Sequence, residues 1–138
     1  MCAFYNNNTS APVPFEMSNE HLRQLLDSAQ VIPWEADAET WQFTYVGSQA
    51  FQILGYPIEQ WDEKDFWTSH LHPEDREHAI RFCEESSGHL ESFTFEYRFL
   101  SAQGQPVWLH DLVNVVFVDG KPKKLRGFMI DITQVKQA

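Results

Sequence analysis

Cysteine is scarce in this sequence of 138 residues, which contains only Cys2 and Cys83. Two isolated cysteines do not make the disulfide framework of a small secreted domain, so we expect a reduced, cytoplasmic protein. The first residues lack the basic start and apolar run of a signal peptide. The sequence also has no stretch of about 18 consecutive apolar residues, the length of a membrane-spanning helix. We therefore expect no direct contact with a membrane.

Positive charge is scarce as well. The sequence carries 10 basic and 20 acidic residues, which gives a net charge of −10. A strongly acidic surface repels phosphate groups. We therefore expect no binding to nucleic acid, and no attraction to anionic lipid.

The familiar catalytic motifs are missing from the sequence. It has no phosphate-binding glycine-rich loop, no Gly-x-Ser-x-Gly nucleophile elbow and no His-Glu-x-x-His zinc helix. His70, His72 and His78 lie close together ahead of Cys83, but their spacing matches no common zinc pattern. The sequence therefore predicts a chain that is not an enzyme and that holds no metal.

The residues of a hydrophobic core, in contrast, are abundant. Hydrophobic residues make up 43% of the sequence and aromatic residues 14%, enough for the core of one domain. Residues 1–17 are polar and contain prolines, which favours a flexible leader. Residues 18–30 carry an apolar stripe at helical spacing, which predicts an amphipathic leading helix. The stripe consists of Leu22, Leu25, Leu26 and Ala29.

The middle of the chain changes from strand to helix signals. Trp41, Phe43 and Tyr45 alternate with polar residues after a short apolar run, so residues 31–46 predict a hairpin with one buried face. Three helical segments are expected next: a short helix that ends at Gly55, helical turns over 58–71, and a longer helix that begins at His72-Pro73 and ends near Gly88.

The last third of the chain has the clearest strand pattern. Phe93, Phe95, Tyr97 and Phe99 alternate with polar residues, which predicts a half-buried strand. Further strands are expected over 106–118 and, after a hairpin turn at Asp119-Gly120, from Leu125 to Ile132, with the start of an exit helix over 133–138. Strands and helices grouped in this way predict an α+β fold with an antiparallel sheet.

Several short motifs, taken in order, resemble the PAS family, of the sensory-box type with PAC-like C-terminal strands. They are Leu54-Gly55-Tyr56, His72-Pro73-Glu74-Asp75-Arg76, Tyr97-Arg98 with Gly104 and Trp108, Gly127, and Asp131-Ile132-Thr133. The resemblance implies a PAS fold over residues 18–136. That fold is a five-stranded antiparallel sheet with short helices inserted between the second and third strands.

The resemblance also implies a role. PAS domains serve as sensory or dimerising inputs of histidine kinases, of cyclic-dinucleotide enzymes such as diguanylate cyclases, and of transcriptional regulators. We therefore expect a non-catalytic input module of a larger bacterial signalling protein. Its partners would be a second copy, bound through the leading helix 18–30, and a C-terminal output domain that follows the exit helix.

A small-molecule pocket between the sheet and the helices is one interpretation of the aromatic residues; a closed aromatic core is the other, and it is favoured. The candidate lining is Trp34, Phe43, Tyr45, Phe51, Phe82, Phe95, Tyr97 and Trp108.

We expect no cofactor, with haem or flavin as the alternative. The resemblance makes His78, on the long helix, the candidate haem ligand. No cysteine stands within Thr68 to His72, where light-sensing relatives carry the one that reacts with flavin.

Polar residues within the strands stand out against their apolar neighbours. Arg98, beside Glu96, points away from the aromatic stripe, so we expect a cross-strand ion pair on the outer face of the sheet. His110 and Asp111 interrupt an otherwise apolar strand. Asp131 is expected to cap the exit helix, to accept a hydrogen bond from the Trp108 indole, or to do both.

Overall fold

A computed structural model describes Glu20 and residues 29–137 of the chain. The leader over 1–17 and the leucines of the predicted leading helix lie outside the described residues. Ala29 and Gln30 form a turn immediately before the first strand. Within the described part of the chain, every helix is too short or too polar to span a bilayer.

Five antiparallel strands form a single sheet, in the spatial order β2-β1-β5-β4-β3. This confirms the predicted α+β fold. The strands are β1 (Val31–Asp37), β2 (Phe43–Val46), β3 (Ser92–Leu100), β4 (Pro106–Val118) and β5 (Lys121–Asp131). β5 begins four residues before the predicted Leu125. Asp119 and Gly120, with φ of 53° and 79°, make a two-residue turn that pairs Val118 directly with Lys121.

Within residues 29–137, the helices lie between β2 and β3, as predicted, except for one that follows β5. They are α1 (Gln49–Leu54), a 3₁₀ turn (Ile58–Gln60), α2 (Phe66–His70), α3 (Pro73–Ser87) and α4 (Thr133–Gln137). Gly55 ends α1 in the left-handed conformation, with φ of 90°, which glycine adopts at little cost. His72 caps α3 by accepting a hydrogen bond from the Glu74 amide through its ring nitrogen.

The core lies between the helices and one face of the sheet, which we call the inner face. Alternation along β4 points Leu109, Asp111 and Val113 inward and leaves the residues between them on the outer face. Trp61, Tyr97 and several aliphatic side chains are almost completely buried there. The inner face therefore consists of large apolar groups around a single carboxylate.

Tyr45 departs from the predicted alternation of the first hairpin. A β-bulge between Glu35 and Ala36 shifts the register, so that Phe43 and Val46 are both buried. Tyr45 pairs with Glu35 and is 54% exposed. The expectation that Tyr45 belongs to the buried face is therefore wrong, because one extra residue turns it to the other side.

Arg98 is bound to α3 and not to a neighbouring strand, which corrects the predicted cross-strand pair. Its guanidinium donates to both carboxylate oxygens of Asp75, at 3.0 and 2.8 Å, and also reaches Glu74 at 3.1 Å. The Arg98 amide donates to Asp75 as well, at 2.8 Å. These hydrogen bonds hold the pKa of Asp75 below its usual value. The start of α3 thus covers the open edge of β3.

Gly127 marks the closest approach of two backbones in the sheet. A Cβ atom at this position would collide with the carbonyl oxygen of Leu112 on β4. The neighbouring backbone cannot move aside without breaking the β4–β5 pairing. Gly127 is therefore required by its contact with β4.

We predict that Gly127→Ala lowers the free energy of unfolding by more than about 2 kcal/mol, because either β4 or β5 must shift. Urea unfolding followed by circular dichroism measures this. Gly88→Ala is the matched control: a Cβ there meets nothing closer than 3.6 Å, so the change should be within about 1 kcal/mol. Equal stability of the two variants would contradict the close approach.

Candidate functional site: a buried carboxylate in an aromatic cavity

Asp111 stands in the middle of β4, on the inner face, and only 3% of it is exposed. The alternation of the strand places it there together with Leu109 and Val113. Burying a carboxylate in apolar surroundings is costly unless hydrogen-bond donors satisfy it. The site is therefore defined by the donors that surround Asp111.

Three side chains form a hydrogen-bonded chain with Asp111. The Trp34 indole donates to Oδ1 at 3.1 Å, and the Tyr97 hydroxyl donates to Oδ2 at 2.6 Å. The Trp67 indole in turn donates to the Tyr97 oxygen at 3.1 Å. We call these four residues the buried polar network. It joins β1, α2, β3 and β4 at one point.

The described residues provide no counter-ion for the charge of Asp111. Among residues 29–137, the ion pairs that form lie elsewhere, and none includes Asp111. Burial raises the pKa of Asp111 to about 7, against the opposing effect of the hydrogen bonds from Tyr97 and Trp34. Burial, and then the nearby Asp111 charge, raise the pKa of Tyr97 well above its usual value. Asp111 therefore gains or loses its proton near neutral pH, whereas Tyr97 keeps its own.

A small cavity adjoins the buried polar network. Its volume is about 30 Å³, room for one or two water molecules. Of the described residues on its wall, Asp111 alone is charged. The aromatic side chains that line it are Trp34, Trp41, Phe43, Trp67 and Phe95, and the remaining wall consists of Ala36, Cys83, Val113, Leu125 and Met129. We call this space the central cavity.

Cys83 contributes an unreactive thiol to the central cavity. Burial raises the pKa of Cys83 to about 12, and the charges of Asp111 and Glu84 act in the same direction. Because the thiolate is the reactive form, this cysteine is a poor nucleophile. The cavity thus has no activated nucleophile at this position.

The structure brings together half of the predicted aromatic lining. Trp34, Phe43 and Phe95 line the central cavity, and Tyr97 belongs to the buried polar network beside it. The prediction included Tyr97 only as an aromatic surface, whereas its hydroxyl is the group that contacts Asp111.

Four other predicted lining residues lie outside the central cavity. Tyr45 is on the far side of the bulge, and Trp108 is on the outer face because its neighbour Leu109 points inward. Phe51 is 55% exposed, since the buried face of α1 carries Ala50 and Leu54. Phe82 packs on Phe93 and Phe95, with ring centroids 5.9 and 5.3 Å away, and does not reach the cavity wall.

His78 is also separated from the central cavity. It is exposed on α3, one residue before the buried Ala79, so the helix turns it by about 100° away from the core. In this geometry His78 is not placed to ligate a haem inside the fold. A cavity of about 30 Å³ is also far smaller than the several hundred Å³ that a bound cofactor occupies. With Trp41 in its observed position, the central cavity has no room for haem or flavin. No cluster of metal ligands is found among the described residues.

The sequence predicted only part of this site. Asp111 was visible as a charge in an apolar strand, but its donors were not, since Trp34 lies 77 residues away along the chain. Trp41 was expected only as a residue of the hairpin over 31–46. A charged residue at an inward position of an aromatic strand is the signal that points to such a network.

The outer face carries a second junction, where β5 passes into α4. Asp131 Oδ1 accepts hydrogen bonds from the amide and the hydroxyl of Thr133, at 3.0 and 2.7 Å, so Asp131 acts as the predicted cap. The Thr133 oxygen accepts from the Trp108 amide at 3.0 Å, and the Ile132 amide donates to the Trp108 carbonyl at 2.9 Å. We call these four residues the exit junction.

The Trp108 indole faces two cations. The Arg98 guanidinium carbon and Lys136 Nζ lie 5.3 and 4.8 Å from the ring centroid. Asp131 accepts hydrogen bonds from Thr133, and the hydrogen bond predicted from the Trp108 indole to Asp131 is not among those of residues 29–137. Lys136 also pairs with Glu96 of β3 at 2.9 Å. The exit helix is therefore attached to both β3 and β4.

Comparison with known proteins agrees with this arrangement. The model of the PAS fold matches residues 43–129, more than half of the chain. The chain belongs to the PAS-fold family. The N-terminal domain of a diguanylate cyclase with a PAS/PAC sensor from Marinobacter aquaeolei is 36% identical, with a TM-score of 0.72, over 77% of this chain and 98% of that one. This confirms the resemblance that the sequence motifs indicated.

Two further relatives are PAS-type sensors. Sensor protein FixL of Bradyrhizobium diazoefficiens is 27% identical over 128 residues, 90% of this chain and 25% of that protein. A domain assigned to a histidine kinase of Haloarcula marismortui is 26% identical, with a TM-score of 0.66, over 83% of this chain and all of that one. The chain spans about a quarter of the length of FixL. It is a PAS sensor domain whose relatives are parts of larger signalling proteins.

We predict that Asp111 makes the stability of this PAS domain fall between about pH 4 and 7. The folded state holds the Asp111 proton up to about pH 7, whereas an unfolded Asp releases it near its usual pKa of 3.8. The contribution of Asp111 to stability is therefore greatest below about pH 4 and decreases until about pH 7, whereas carboxylates with a lowered pKa, such as Asp75, lose their contribution only at more acidic pH. A shift of about 3 pKa units corresponds to a loss of roughly 4 kcal/mol.

Chemical denaturation at a series of pH values measures this loss. Asp111→Asn, which cannot ionise, should remove the decrease between about pH 4 and 7, whatever its absolute stability. Asp62→Asn, at an exposed position, should keep the decrease. A wild-type profile parallel to that of Asp111→Asn would show that Asp111 is ionised across this range.

Proposed function

We propose that this PAS domain is the sensory input of a larger bacterial signalling protein, of the histidine kinase or diguanylate cyclase type. It would pass the state of the central cavity to the exit helix α4 and from there to a C-terminal output domain. The observation that carries this proposal is that β3 and β4 hold the buried polar network on one face and the exit helix on the other.

The strand register places these two attachments within one or two residues of each other. The pair Phe95–Asp111 points inward, and the adjacent pair Glu96–His110 points outward. The next residue of β3, Tyr97, belongs to the buried polar network on the inner face. The residue after it, Arg98, pairs with Trp108 of β4. A change in the network therefore acts on the same two strands that hold Lys136 and Thr133.

The proposed mechanism is a shift between two arrangements of β3 and β4. When a ligand or a proton changes the charge on Asp111, its hydrogen bonds to Tyr97 and Trp34 change in strength. A strand pair held by hydrogen bonds on both faces transmits the change as a small difference in twist. The population of exit-helix positions shifts accordingly, by no more than the difference in binding energy between the two states.

We predict that Tyr97→Phe changes the exit helix although it lies on the opposite face of the sheet. The variant leaves Asp111 Oδ2 and the Trp67 indole each without the hydrogen-bond partner that Tyr97 provides, while the Trp34 indole still donates to Oδ1. The loss costs about 1–3 kcal/mol. In ¹H–¹⁵N spectra of the whole chain, the amides of Thr133–Gln137 and the Trp108 indole should shift.

Tyr45→Phe serves as the control for that spectrum, because it removes the same hydroxyl at an exposed position of β2, at the opposite edge of the sheet. It should leave the signals of Thr133–Gln137 in place. Unchanged exit-helix signals in Tyr97→Phe would refute transmission through β3 and β4.

Dimerisation is the second part of the proposal. The outer face of the sheet exposes apolar groups that a monomer leaves in water; Phe128 is 40% exposed, and Leu112 and Ile130 are half-buried. We infer that a second copy binds through the predicted leading helix, whose leucines Leu22, Leu25 and Leu26 precede the turn at Ala29 and Gln30. Such a dimer would bring two exit helices, and hence two output domains, close together.

We predict that the chain is a dimer by light scattering and that Leu25→Glu with Leu26→Glu converts it to a monomer, because two charges cannot be buried at an apolar contact. Phe51→Glu is the control: it places a charge at an exposed apolar position of α1, and should leave the dimer intact. A wild-type monomer, or a double variant that remains a dimer, would contradict this interface.

A further inference from the structure

The central cavity combines an unpaired carboxylate with a wall of aromatic rings. We propose that it binds a small organic ammonium cation, with the ammonium group on Asp111 and the alkyl group among the rings of Trp34, Trp41 and Phe95. This inference rests on the proposed sensory function and names its ligand class.

Asp111 has unused capacity to accept hydrogen bonds. Its two oxygens accept one bond each, from Trp34 and Tyr97. A carboxylate oxygen offers about two lone-pair sites, so one remains on each oxygen. An ammonium group supplies both further donors and the positive charge that the surrounding residues do not provide. A buried carboxylate that gains a cation no longer has to be neutralised by a proton.

The remaining wall of the central cavity favours a cation over other small molecules. Five aromatic side chains line it, and the faces of aromatic rings attract ammonium groups. An anion would be repelled by Asp111. A neutral alcohol would bind without compensating the charge, so it would have little advantage over water.

Among residues 29–137, no other charged group faces Asp111 from the elements packed around it. β3 contributes Tyr97 and α3 contributes Cys83, and the pKa of each is raised, so both are neutral near pH 7. β1, α2 and β5 contribute Trp34, Trp67 and Met129, which do not titrate. Ammonium binding should therefore strengthen as the pH rises and Asp111 loses its proton.

Trp41 separates the central cavity from the surface. It lies in the turn between β1 and β2, is half-buried, and has a φ of 64°, which is unusual for a bulky residue. Its ring contacts Trp67 edge-on, with 5.6 Å between centroids. Trp41 is thus placed to open for ligands that are larger than the closed cavity.

An acidic groove lies on the other side of Trp41. Its volume is about 340 Å³, and Glu39 and Glu84 are its charged residues. Negative charge at the mouth of a cleft attracts cations. A cation attracted to the groove reaches the outer side of Trp41. Asp111 lies on the inner side of Trp41, in the wall of the central cavity.

The test is an NMR titration of the whole chain with methylammonium chloride at about pH 8 and constant ionic strength. Methanol and formate are the neutral and anionic probes of similar size. The indole N–H signals of Trp34 and Trp67 report on the site, because both donate within the buried polar network. We expect a saturable shift with methylammonium alone, weakened at about pH 5, where Asp111 holds its proton.

Two variants distinguish the effect of the Asp111 charge on binding from the effect of the protein's net charge. Asp111→Asn should weaken methylammonium binding by roughly tenfold or more, the effect of losing one charged hydrogen bond. Glu85→Gln removes the same charge at an exposed position of α3 and should change nothing. Trp41→Ala should improve the binding of butylammonium more than that of methylammonium.

Three results would overturn the proposal: no saturable shift with any ammonium probe, equal shifts with methanol or formate, or the same affinity at about pH 5 and pH 8. If Asp111→Asn does not fold, the comparison of the two pH values in the wild-type protein decides. Loss of ammonium binding alone leaves transmission from Tyr97 to α4 intact, so failure of the ligand class is distinguished from failure of the sensory function.

Discussion

The fold depends on burying the carboxylate of Asp111 in the centre of the sheet. Two donors satisfy it directly, the Trp34 indole and the Tyr97 hydroxyl, and Trp67 orients the second of them. The three donors come from different elements, so their hydrogen bonds fix where β1, α2 and β3 lie relative to β4. Because no cation shares the site, the carboxylate stays close to the point at which it gains or loses a proton. Asp111 thus both connects the elements of the core and carries a charge that depends on pH.

The outer face makes use of the same two strands. The exit junction binds α4 to Trp108, and Lys136 reaches Glu96, one residue from the inward-pointing Tyr97. Arg98 and Asp75 anchor the free edge of β3 to the long helix. β3 is therefore held at its edge, at its inner face and at its outer face. The relatives of this PAS domain are parts of larger signalling proteins.

The periodicity of hydrophobic residues and the residues typical of turns predicted most of the fold. β3 and β4 have strong alternation, and Asp119-Gly120 fixes their continuation into β5. The errors have local causes. A bulge turned Tyr45 outward, and a one-residue step around a helix separated Phe51 and His78 from the core. The site itself was only partly predictable, because Asp111 and Trp34 are 77 residues apart and no local pattern links a strand carboxylate to a distant indole.

The most direct test of this account is the titration of the Asp111 carboxyl carbon by ¹³C NMR in the intact chain. The account predicts a midpoint near pH 7, with the indole signal of Trp34 moving at the same midpoint because its N–H is bound to that carboxylate. A carboxyl that titrates near the usual 3.8, with the Trp34 signal unmoved around neutral pH, would contradict it.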